Sequence, residues 1–124
     1  MVHATEDRLY DILLKELKKN PKKIRLDRLE RAYRFASEAH AGQFRASGES
    51  YICHPLEVAT ILASLKADEE TVAAALLHDV PEDTQYTIQD VERRFGKGVS
   101  RLVFAVTKLS KLHYQHSMDE RQVD

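Results

Sequence analysis

Val72-Ala73-Ala74-Ala75-Leu76-Leu77 is apolar on nearly every side of a helix, and it runs directly into His78-Asp79-Val80-Pro81-Glu82-Asp83. A segment with no polar stripe belongs in the centre of a core rather than on its surface. Asp68 precedes it at a distance suited to an N-cap. Pro81 breaks the helical ladder, because its ring and missing N–H cannot continue the pattern. The chain therefore places an imidazole and several carboxylates at the exit of its most buried element.

Outward from this segment the pattern is helical almost everywhere. Leu9, Ile12, Leu13 and Leu17 recur at helical spacing until Asn20-Pro21 ends the run. Asp27 to His40 forms a second helix with Leu29, Ala32, Tyr33, Ala36 and Ala39 on one stripe. The stretch AGQFRASGES, bracketed by Gly42 and Gly48, reads as a loop. Pro55 suits the first position of the next helix, which carries Leu56, Val58, Ala59, Ile61, Leu62 and Leu65. Thr87-x-x-Asp90 resembles a capping box, and Gly96 is a C-terminal stop. A last helix is expected over Val99–Leu112, followed by a polar tail at 113–124. No strand, repeat or linker emerges. The expected architecture is all-α, a compact bundle of about six helices in one domain.

Composition excludes several classes. With 19 basic and 20 acidic residues the net charge is −1, which does not suit nucleic-acid binding by counterion release. Lys18, Lys19, Lys22, Lys23 and Arg25 read as a solvated helix end and turn. No apolar run approaches the ~20 residues of a membrane span, and the charged N-terminus lacks a signal-peptide core. Cys53 is alone, so neither an internal disulfide nor a cysteine-rich zinc module is available, and a buried bystander in a reducing, cytoplasmic setting is expected.

The chemistry sits around the buried segment. His78-Asp79 alone is better explained by an imidazole favouring the helix C-terminal dipole, with Asp79 in solvent. Glu82 and Asp83 change this reading, because three carboxylates and one imidazole then fall within six residues. Clustered carboxylates repel unless a cation or strong donors hold them. His54 supplies a second imidazole just after the glycine-flanked loop. Two histidines and an aspartate suit a divalent ion such as Mn²⁺, Fe²⁺ or Zn²⁺, leaving positions open for water and substrate. Glu82 and Asp83 are placed to order or deprotonate water. Arg45 suits phosphate or can stack on a base. His40 reads as a helix-end charge or a support for the site. His3, His113 and His116 receive no site role, His3 lying in an expected disordered terminus.

These residues resemble a known family. His40-x-Gly42-Gln43-x-Arg45, Ser47-Gly48-Glu49-x-Tyr51-Ile52-x-His54-Pro55 and Leu76-Leu77-His78-Asp79-Val80-x-Glu82-Asp83-Thr84 are similar to the hydrolase domain of Rel/SpoT alarmone enzymes. Phe95-Gly96 and Val106-Thr107-Lys108-Leu109 extend the likeness. The resemblance implies an all-helical HD domain that cleaves the 3′-pyrophosphate from guanosine tetra- and pentaphosphate, usually with Mn²⁺. By that likeness His54, His78 and Asp79 are metal ligands, Glu82 and Asp83 act on water, and Arg45 and Ser47 belong to the guanine-nucleotide pocket. Ala46 and Pro81 depart from the family pattern, and its final aspartate ligand has no counterpart, since Asp119 and Asp124 do not match. The resemblance therefore implies a C-terminally truncated piece of a longer polypeptide, and any synthetase activity would reside downstream. Hydrolysis of another nucleotide such as NADPH, or a non-catalytic regulatory module, remains an alternative, and oligomeric state is left open.

Overall fold

The computed structural model describes residues 2–108. Six helices run in order: α1 (Val2–Lys18), α2 (Leu26–Ala39), α3 (Cys53–Ser64), α4 (Glu69–Leu77), α5 (Val80–Asp83) and α6 (Ile88–Phe95). A further helical stretch follows at 97–108. Among the described residues the sole β feature is an isolated bridge between Phe44 and Ser50, so the all-α expectation holds. Leu109 to Leu112 of the expected last helix, with Lys111, lies outside the described residues. So does the polar tail with His113 and His116.

The segment Val72–Leu77 takes the central place its composition demands, with all six residues buried. α4 packs against α2 and α3, and α1 packs against α3. Ala73, Ala74 and Ala75 keep this contact thin, while Leu76 and Leu77 fill it. From the other elements Leu13, Leu29, Leu56, Val80, Val91, Val99 and Val103 close the same core. Burying Leu76 fully is worth about 1.5–3 kcal/mol against leaving it in water. Arg28 ties three helices together, pairing with Glu69 at 2.8 Å and reaching the Phe95 carbonyl at 3.3 Å.

Local chemistry sets the boundaries. The Asp68 carboxylate accepts from the Thr71 N–H at 2.8 Å and starts α4. Thr87 and Asp90 form a complete capping box, and Gly96 ends α6 at φ +95°. Two expectations shift. α1 begins at Val2, so His3 lies on a helix rather than in a disordered terminus. α3 begins at Cys53, which makes Pro55 its third residue rather than its first. None of the first four N–H groups has an intrahelical partner, so the ring is tolerated there as well. Glu6 is an unanticipated buried carboxyl group. The Tyr33 hydroxyl donates to it at 2.9 Å, and Ser37 donates to the same oxygen.

Candidate metal centre

Pro81 has no N–H for the Leu77 carbonyl, so the backbone leaves the α-helix at His78-Asp79 and restarts as α5 with proline in its first turn. The corner so formed faces the first turn of α3, where His54 stands. One donor atom each from His54, His78 and Asp79 lies within 4.8 Å of the others. His78 Nε2 is 3.1 Å from Asp79 Oδ2, and His54 Nε2 is 3.8 Å from the same oxygen. The His54 and His78 rings meet edge to face with centroids 5.6 Å apart. Asp79 is not in open solvent: its side chain is 20% exposed, against 9% for His78 and 39% for His54.

Two of the three donors, His78 and Asp79, are held from behind. His78 Nδ1 donates to the Ala75 carbonyl at 2.6 Å, which leaves Nε2 to face the cluster. The Tyr51 hydroxyl donates to Asp79 Oδ2 at 2.7 Å. Thr107 reaches the His78 carbonyl at 3.3 Å from the 97–108 helix. Burial opposes charge on His78, but hydrogen bonds to Asp79 and Ala75 and the charges of Asp79 and Asp83 outweigh it, so its pKa is raised. For His54 burial prevails over the attraction of Asp79, with His78 and Arg45 adding repulsion, and its pKa is lowered. Burial works against the Asp79 carboxylate too, yet hydrogen bonds from His78 and Tyr51 and both nearby imidazoles bring its pKa down. One half-buried carboxylate and two imidazole nitrogens near it, with His78 and Asp79 held by second partners, form a donor set that fits a divalent cation.

The remaining expected residues are not among these three clustered donors. Glu82 and Asp83 are exposed on α5. Asp83 is close enough to act electrostatically on both Tyr51 and His78. Glu82 faces a cleft of 440 Å³ lined also by Thr87, Phe104, Thr107 and Lys108. Arg45 is engaged by Glu49 at 2.7 Å and Glu57 at 3.0 Å, and its charge reaches His54. Ser47 is exposed in the tight turn where the Gly48 N–H donates to the Arg45 carbonyl at 2.8 Å. Cys53 is fully buried, as expected of a bystander. A cavity of 810 Å³ lies elsewhere, among Glu6, Tyr10, Tyr33, Ser37 and Phe44.

Sequence reasoning gives Tyr51 no role and leaves two readings open for His40. Tyr51 stands three residues before His54, a proximity that hints at the site, but its bond to Asp79 spans 28 positions. His40 is 1% exposed and rests its ring against Tyr51 with centroids 4.8 Å apart, which favours the reading of a buried support. No helix among the described residues is long and apolar enough to cross a membrane.

Comparison with known proteins identifies the family. The chain is 57% identical over 90 residues to the bifunctional (p)ppGpp synthase/hydrolase SpoT of Escherichia coli, a stretch covering 73% of this chain and 13% of that protein. It is 49% identical over 94 residues to a guanosine-3′,5′-bis(diphosphate) 3′-pyrophosphohydrolase of Aquifex aeolicus, covering 76% and 14% of the two chains. A GTP pyrophosphokinase of Streptomyces coelicolor is 49% identical over 105 residues, covering 82% and 12%. The chain thus spans 12–14% of the length of these relatives. The family model described as HD domain matches residues 32–124, a range that contains His54, His78 and Asp79, and the chain belongs to the HD domain family.

Proposed function

We propose that the chain carries out metal-dependent hydrolysis of guanosine 3′,5′-bis(diphosphate) and its pentaphosphate analogue, yielding GDP or GTP and pyrophosphate. The observation that carries this reading is the convergence of His54, His78 and Asp79 within 4.8 Å at the corner between α4 and α5. The printed names of relatives at 49–57% identity supply the substrate class.

His54, His78 and Asp79 would hold the ion, and Mn²⁺ is the proposed metal. When bound, a divalent ion supplies positive charge for phosphoryl oxygens and makes water more acidic. Glu82 and Asp83 orient water and accept its proton, being exposed carboxylates on the element that follows the ligand pair. Water adds to the phosphorus next to the ribose 3′ oxygen, the P–O3′ bond breaks, and the 3′ oxygen takes up a proton as pyrophosphate is released. Arg45 exchanges Glu49 and Glu57 for substrate phosphate or base, since its guanidinium is already held beside His54 by those two carboxylates. Ser47, in the same exposed turn, contributes a hydroxyl to the nucleotide pocket. A cytoplasmic setting is part of the same proposal.

The test is Mn²⁺-dependent pyrophosphate release from guanosine tetraphosphate, with the chain and with any longer polypeptide that carries it. His78→Ala is expected to abolish release. Failure of a folded, Mn²⁺-loaded protein on this nucleotide, with turnover of another such as NADPH, would move the assignment to that substrate.

A further inference from the structure

α5 is four residues long, too short to hold its shape by local bonding. The Val80 carbonyl accepts from the Thr84 N–H at 3.1 Å and from its hydroxyl at 2.7 Å, while the carbonyls at the far end lie beyond the reach of helical bonding and depend on donors from elsewhere. Val80 anchors one end in the core. At the other end the Gln43 side-chain amide donates to the Asp83 carbonyl at 2.8 Å, from 40 positions away.

Gln43 is itself locked. Its N–H donates to the His40 carbonyl at 2.9 Å, and its carbonyl accepts from the Tyr51 N–H at 3.0 Å. Its Oε1 lies 3.0 Å from His40 Nδ1. Because the amide NH₂ is committed to Asp83, the oxygen must face the imidazole, and the imidazole must present Nδ1–H. The His40 ring is buried, and its Nε2 has no hydrogen-bond partner among the described residues. His40 thus fixes which way round the amide lies. Through its backbone the same glutamine braces Tyr51, whose hydroxyl holds Asp79. One residue therefore joins the water-handling pair to the metal carboxylate.

We propose that Gln43 is a positioning residue: its amide, oriented by His40, holds the Asp83 carbonyl and so sets the Glu82–Asp83 pair against the His54, His78 and Asp79 donors. The inference rests on the proposed hydrolase reading for the roles of those groups, but not for the tether itself. Two variants of the full chain test it. Gln43→Leu removes the donor. Gln43→Glu keeps the size and the oxygen facing His40 while setting a carboxylate against the Asp83 carbonyl.

In both variants amide exchange at Asp83 and Thr84 is expected to accelerate about tenfold, the size of one lost hydrogen bond. Amides of α4 keep their wild-type protection. With guanosine tetraphosphate, kcat falls about 10–100-fold while KM and Mn²⁺ affinity stay unchanged. A residue that only stabilises the fold would instead loosen α4 and weaken metal binding as well. Unaltered exchange at Asp83 and Thr84, or uniform acceleration across the chain, would overturn the proposal. A wild type that does not turn over the nucleotide sinks the hydrolase reading alone, because exchange still decides the tether.

Discussion

Tyr51 shows how much a single hydroxyl can govern in this site. Burial first, and then the bond to Asp79 and the charges of Asp79 and Asp83, push its pKa upward, so the phenol remains a donor at any working pH. That donor keeps Asp79 Oδ2 turned toward His54 and His78. Partners behind metal ligands commonly govern affinity by 10–100-fold. Tyr51→Phe should therefore weaken Mn²⁺ binding by about one to two orders of magnitude, measured by isothermal titration calorimetry. The ring contact with His40 survives the change, so the thermal midpoint should move little. Equal affinity in the two proteins would show that Asp79 is oriented without the phenol.

At the scale of elements, α4 is a nine-residue helix whose position depends on how it starts and stops. α3 ends with Lys66 at φ +64° and with the Ala67 N–H on the Leu62 carbonyl at 3.1 Å, a reversal that delivers Asp68 to the next N-terminus. Asp68→Ala should cost about 1 kcal/mol in urea unfolding near neutral pH. Hydrogen bonds from Thr71 hold the Asp68 carboxyl below its ordinary value of 3.8. A depressed folded-state pKa contributes stability above the unfolded value and loses it as pH falls through the folded one. The gap between wild type and variant should thus be full above 3.8 and shrink in stronger acid. A gap that stayed constant down to about pH 2 would mean that the carboxylate charge has no part in the cap.

For the whole molecule, the donor set links separate parts of the bundle: His54 opens α3, while His78 and Asp79 close α4. An ion binding there ties the α1–α3 pair to the central helix. A ligand that binds only the folded state stabilises it by about 2.7 kcal/mol at a hundredfold excess over its Kd. Mn²⁺ should accordingly raise the thermal midpoint, and a chelator should reverse the rise. His78→Ala should remove the Mn²⁺ response while keeping a cooperative transition. An identical Mn²⁺ response in that variant would place the binding elsewhere.

What the sequence determines by itself is what depends on near neighbours or on burial alone. Val72–Leu77 has no polar face, so it had to be central. Pro81 lacks an N–H, so the helix had to break near His78. Asp68, Thr87 and Gly96 cap helices through bonds spanning only a few residues. The closeness of His78, Asp79, Glu82 and Asp83 in sequence was likewise visible as a place calling for a cation or strong hydrogen-bond donors. Tertiary structure alone decided the partners that cross the fold. Tyr51 reaches Asp79, Gln43 reaches Asp83, and Arg45 meets Glu57 across 12 positions. It also buried Glu6 beneath Tyr33 and Ser37. No periodicity encodes these pairings, because each depends on the angle at which two helices or a loop meet, and packing of the assembled core sets that angle.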